Sequence, residues 1–146
     1  MFELNYDSFQ QHYGNPFEGA RGGKYVNVLE ELSGIIKERD FFEEHKVFYI
    51  QNMFKDDDES NPIIYFFTEK HINKVTITTE NISIKTWRLA DVAKVELLVP
   101  NRYHMRLNIT MSDNTKLEFD TENDANASWN KKFKDRLLNI HELLLK

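Results

Sequence analysis

The chain has no cysteine and only five glycines and three prolines in 146 residues. The missing thiols exclude disulfides, thiolate metal centres and cysteine nucleophiles, and they fit a reducing, cytoplasmic location. No apolar run approaches the roughly 18 residues that a membrane helix needs. The opening MFELNYDSFQQHYG carries acids but neither a basic start nor an apolar core, so no secretory signal is expected there. Metal and nucleophile signatures are absent too. The histidines, His12, His45, His71, His104 and His141, form no HExxH or comparable pair, and no GxSxG elbow occurs. Four of the five glycines (Gly14, Gly19, Gly22 and Gly23) sit in one stretch beside Arg21 and Lys24. That cluster lacks the spacing of a phosphate loop and has no strand before it, so it reads as a linker. Positive charge is also in deficit. The net charge of -5 disfavours general attraction to nucleic acid or to an anionic membrane.

Aromatic residues are plentiful. Eleven Phe, six Tyr and two Trp make 13% of the chain, more than a thin core needs. A chain of this length fits one domain, and we expect a single one over 1–146, with 1–45 as a helical extension. Asp7 can cap a short helix that Gly14 ends. Tyr25, Val28, Leu29, Leu32, Ile35 and Ile36 then recur at helical spacing, which predicts an amphipathic helix over 24–38.

After His45 the pattern turns to strand. KVFYIQNMF (46–54) and NPIIYFFTE (61–69) flank the polar loop KDDDESNP. The five apolar residues Ile63 to Phe67 predict a strand buried on both faces, with the 24–38 helix covering the outer one. NKVTITTE, ISIKTWRL with Ile82 and Ile84 inward, ADVAKVELLVP, YHMRLNITM and KLEFD follow, for about seven antiparallel strands. Turns are expected at Glu80-Asn81, at Pro100-Asn101 and at SDNT. The last stretch, Thr121–Lys146, carries Ala125, Trp129, Phe133, Leu137, Ile140 and Leu144 on one stripe. It predicts one long helix with Thr121 as its N-cap and Asp124 as the capping-box acid. So much sheet invites a bent or closed arrangement, with this helix as its plug.

This order of elements resembles a pleckstrin-homology-like (PH-like) domain, in particular the bacterial ones. VTITTENISIKTWRLADVAKVELL (75–98) matches their strand, turn, strand and Leu-x-Asp-Val pattern, with Leu89, Asp91, Val92 and Val95 in the matching places. The composition also resembles that of small proteins from low-GC Gram-positive bacteria. The resemblance implies an α+β fold over 46–146: a PH-like antiparallel barrel of about seven strands with a long C-terminal capping helix, behind the N-terminal helical extension. The alternative architecture is the helix-grip (START-like) fold, which encloses an apolar cavity.

Lipid-binding PH domains hold phosphates with basic residues in the first hairpin loop. The matching loop here, Lys55 to Asn61, has one lysine beside Asp56, Asp57, Asp58 and Glu59, so a phosphoinositide would be repelled. Those acids do not make a calcium loop, because Asn61 and Phe67 stand where an EF-hand needs Gly and Glu. Arg102, His104 and Arg106 line the wet side of one predicted strand and are the candidate partner-binding residues. No aromatic lies between them on that face, as nucleic-acid stacking would require. Lys131, Lys132, Lys134 and Arg136 stud the last helix. The expectation is a non-catalytic module that binds a protein or peptide, or a further copy of itself, with no cofactor and no metal. A carrier of an apolar small molecule is the alternative. An enzyme is the third reading, and the sequence names no catalytic residue for it.

Overall fold

The computed structural model describes residues 30–32, 34–35, 47–52, 61–125 and 129–145. Its seven strands are β1 (Val47–Gln51), β2 (Ile63–Phe67), β3 (His71–Ile77), β4 (Ile82–Arg88), β5 (Val92–Asn101), β6 (His104–Met111) and β7 (Lys116–Asp120). A 3-10 turn, Leu89–Asp91, links β4 to β5, and the helices α1 (Thr121–Asp124) and α2 (Asn130–Leu144) close the chain. All neighbours pair antiparallel, in a four-stranded sheet of order β1-β2-β3-β4 and a three-stranded sheet of order β5-β6-β7. This is the PH-like α+β arrangement that the resemblance implied. Among the described residues the expected barrel is not closed, because β1 and β7 are edges of separate sheets.

Alternation decides what faces the interior. Tyr49 stands opposite Tyr65 in the register of β1 and β2, and Val47 opposite Phe67, so these side chains share one face. Phe119 of β7 packs edge-on against Tyr49 at 5.1 Å and Tyr65 at 4.7 Å, and lies 6.0 Å from Phe67. Phe133 of α2 meets Tyr49 at 5.3 Å. Each of these aromatic pairs adds about 0.5–1.5 kcal/mol beyond its buried area. These rings pack against one another and against the helix. From β6, Met105, Leu107, Ile109 and Met111 point into the same core, as their period of two predicts.

The opposite face of the first sheet is buried as well. Phe48, Ile50, Ile64, Phe66, Val75 and Ile77 are all in the core, and Phe48 and Phe66 pack edge-on at 5.4 Å. So β2 is covered on both sides, as its apolar run requires. Helical residues at 30–32 and 34–35 bring Leu32, fully buried, into this core, with Ile35 packed against it. The remainder of the predicted 1–45 extension lies outside the described residues.

Four local expectations change. The final helix is not continuous: α1 stops at Asp124, and Ala125 is extended at φ -119, ψ 168 before α2 begins. Its N-cap is Asp120, not Thr121. The Asp120 carboxylate accepts from the Glu122 and Asn123 amides, while the Thr121 hydroxyl turns inward and accepts from the Met105 amide at 3.0 Å. The hairpin turn expected at Pro100-Asn101 falls instead at Arg102 and Tyr103, because Asn101 still pairs with His104. The proline fits inside β5 because β5 is an edge strand and owes no amide on its outer side. Ile84, expected inward, is 37% exposed on the edge strand β4.

Candidate functional site

The three residues singled out from sequence do not form one strip. Arg102 occupies the β5–β6 turn, its guanidinium 5.1 Å above the Tyr103 ring, and its carbonyl accepts from the Lys134 ammonium of α2. His104 and Arg106 do lie on the outer face of β6, and both are claimed by Asp120 at the end of β7. His104 Nε2 is 2.7 Å from Asp120 Oδ1, and Arg106 Nε donates to Oδ2 at 2.7 Å. His104 Nδ1 lies 3.2 Å from Glu122. Burial raises the Asp120 carboxyl, but the bonds from Arg106, the Glu122 amide and His104 outweigh it and hold the group below the usual carboxylate range. Two members of the positive face read from the sequence, His104 and Arg106, are therefore matched by acid.

His104, Asp120 and Glu122 offer metal-type ligand atoms within 4.8 Å of one another. Sequence spacing gave no hint of this, since the three come from β6, β7 and α1. Their chemistry is not that of a metal centre. Both Asp120 oxygens are already spent on protein donors, and a guanidinium sits against one of them. The cluster ties the α1 N-terminus to the second sheet.

Beside this cluster the two sheets approach at a seam. Gln51 Nε2, from the end of β1, donates to the Glu118 carbonyl on β7 at 2.8 Å. Beneath it Asp124, 7% exposed, accepts at Oδ2 from the Tyr49 hydroxyl (2.8 Å), the Asp120 amide (2.9 Å) and, more loosely, Gln51 Nε2 (3.4 Å). Burial drives the Asp124 carboxyl up, the three donors pull it back in part, and the result is about 6. The Tyr49 hydroxyl is pushed well above its usual value by burial first and by the adjacent Asp124 carboxylate second. In front of the pair lies a polar pocket of about 550 Å³ lined by Gln51, Asn52, Arg106, Asn108, Glu118, Phe119, Asp120, Asn123 and Asp124. The sequence located Asp124 as a capping acid but gave no sign of Tyr49 or Gln51. Their link to it spans more than 70 residues, beyond the reach of any local pattern.

The β5–β6 hairpin presents a different surface. Leu98, Val99 and Tyr103 are 38%, 56% and 67% exposed, all on this one hairpin. Asn101 Oδ1 caps the turn by accepting from the Tyr103 amide at 2.8 Å, so the tip is held rather than loose. A groove of about 690 Å³ runs between α2 and the 3-10 turn, lined by Val47, Glu69, Leu89, Ala90, Leu143 and Leu144 among others. No described helix is long and apolar enough to cross a membrane.

Residues 3–135 match the family described as Protein of unknown function (DUF3908). No curated protein matches the chain. Among solved structures it is similar to the pleckstrin homology (PH) domain of USP37, at 16% identity over 69% of this chain and 94% of that one, with a TM-score of 0.38.

Proposed function

This chain belongs to the DUF3908 family, and we propose that it is a non-catalytic interaction module that docks a protein or peptide partner on its β5–β6 hairpin. The observation that carries this reading is that Leu98, Val99 and Tyr103 are all exposed on one hairpin, with the Arg102 guanidinium over the Tyr103 ring. Tyrosine and arginine are residue types in which interface hot spots are enriched, and exposed apolar side chains mark interaction surfaces. The turn is braced from beneath by Lys134, so a partner would meet a pre-formed shape and lose little entropy in ordering it. A surface role also fits an interior in which Tyr49, Tyr65, Phe67, Phe119 and Phe133 occupy the room a carried ligand would need.

Photocrosslinking in the cells that make the protein tests this reading. A benzoylphenylalanine replaces Tyr103 at the tip, and a control replaces Glu80 in the distant β3–β4 turn. We expect one discrete protein adduct from position 103 and none from position 80. An adduct at twice the chain's mass identifies the partner as another copy. Equal labelling from both positions, or none from either, overturns the proposal.

A further inference from the structure

We propose that the polar pocket between β1, β6, β7 and α1 binds an alkylammonium or guanidinium group, with Asp124 and Glu118 as its anionic partners. This site is separate from the hairpin and does not depend on the docking reading. The argument begins with acceptors that the fold leaves unused. All three donors to Asp124 reach Oδ2, and among the described residues none reaches Oδ1, although the residue is 7% exposed and lines the pocket. A buried carboxylate oxygen without a donor is costly unless something supplies one. Gln51 spends its amide nitrogen on the Glu118 carbonyl and Asp124, which leaves its side-chain oxygen as an acceptor. Asn108 and Asn123 add further amide oxygens to the lining.

Charge selects the ligand. The lining holds Glu118, Asp120 and Asp124 against Arg106 alone, and Arg106 is already paired with Asp120. An anion would face two uncompensated carboxylates. A small metal ion would need several hard oxygens close together, whereas the lining spreads its acceptors across a wide space beside a guanidinium. A flat or compact organic cation with several N–H donors fits amide oxygens and carboxylates at once. Near neutral pH the Asp124 carboxyl, at about 6, is mostly ionised and supplies the charge. Because the pocket is open to solvent, the affinity expected for one such group is modest, with a dissociation constant on the order of 1 mM.

Side-chain amide signals of Gln51, Asn108 and Asn123 in nitrogen-15 spectra of the full chain give the readout. N-acetylarginine methylamide stands for a basic side chain of a peptide, butane-1,4-diamine for a free amine, and N-acetylcitrulline methylamide for the neutral shape. Saturable shifts at these amides are expected with a cationic probe and not with citrulline. The cation that binds more tightly names the source. Glu118→Gln, at an exposed position, should weaken binding about tenfold while leaving the spectrum otherwise folded, since it removes one charge-assisted hydrogen bond. Asp124→Asn is the second variant and should abolish binding. Equal shifts with citrulline, undiminished binding by Glu118→Gln, or no shift at these amides with either cation overturns the proposal.

Discussion

The Tyr49 hydroxyl donates to Asp124 Oδ2 at 2.8 Å and so ties the first strand to the helix after the last one, across 75 residues. With Gln51 bonded to the Glu118 carbonyl, this contact joins the β1 edge to the β7 edge where backbone pairing does not. Removing the hydroxyl with Tyr49→Phe keeps the edge-on ring contacts with Phe119 and Phe133 but takes away the shortest of the three hydrogen bonds to a buried carboxylate oxygen. It should cost about 1–3 kcal/mol in denaturant unfolding. Asp124→Ala, which also releases the Gln51 amide and the Asp120 N–H, should cost more than Tyr49→Phe. A negligible loss in both variants would show that the seam is held by packing alone.

Asp124 also predicts a pH dependence. Its carboxyl is raised from 3.8 to about 6 in the folded protein, so the fold binds this proton more tightly than the unfolded chain does. Its contribution is therefore fully present below about pH 4 and is lost as pH rises through about 6. Each pKa unit is worth about 1.4 kcal/mol, so the effect is on the order of 3 kcal/mol. Asp120, held low by Arg106 and His104, works in the opposite direction, so the difference between wild type and Asp124→Asn isolates the Asp124 part. The Tyr49 and Tyr65 hydroxyls, both shifted upward, do not titrate in this window. The stability advantage of wild type over Asp124→Asn should shrink by about that amount between pH 4 and pH 7.5. A difference that does not change with pH would contradict the buried carboxyl.

Asp120 caps α1 and receives His104 and Arg106. Asp120→Ala loses the cap and both partners and should cost about 2 kcal/mol, whereas Asp120→Asn keeps a capping acceptor and should cost about half as much. Equal losses in the two variants, measured by thermal unfolding, would assign the effect to the charge rather than to the cap.

Lys74 stands directly opposite Lys85 in the β3–β4 register, and burial first, then Lys85, lowers its pKa. Like charges facing each other across strands are destabilising. Lys85→Glu should stabilise the fold by about 0.5 kcal/mol at low ionic strength, and about 1 M salt should erase most of that gain.

The strands were legible because half-buried antiparallel strands write a period of two, which β6 and β7 show plainly in Met105, Leu107, Ile109, Met111, Leu117 and Phe119. The double burial of β2 was legible from Ile63 to Phe67, an apolar run with no polar side. Cap and turn positions were harder. Asp120 and Thr121 are both competent N-caps by type, and only the bond from the Met105 amide to the Thr121 hydroxyl decides between them. Arg102 and Tyr103 were placed on a strand because Pro100 looked like a turn residue, and an edge strand tolerates proline. Tyr49, Gln51 and Asp124 carry no local signal of their meeting, since the seam is made by tertiary approach alone.

A partner that docks as proposed must cover the β5–β6 tip. Amide hydrogen exchange of the full chain, with and without the partner captured at position 103, tests it most directly. The Leu98, Val99 and Tyr103 amides should slow about tenfold or more in the complex while the β1–β4 sheet is unchanged. Protection confined to the first sheet, with the hairpin amides exchanging as before, would contradict it.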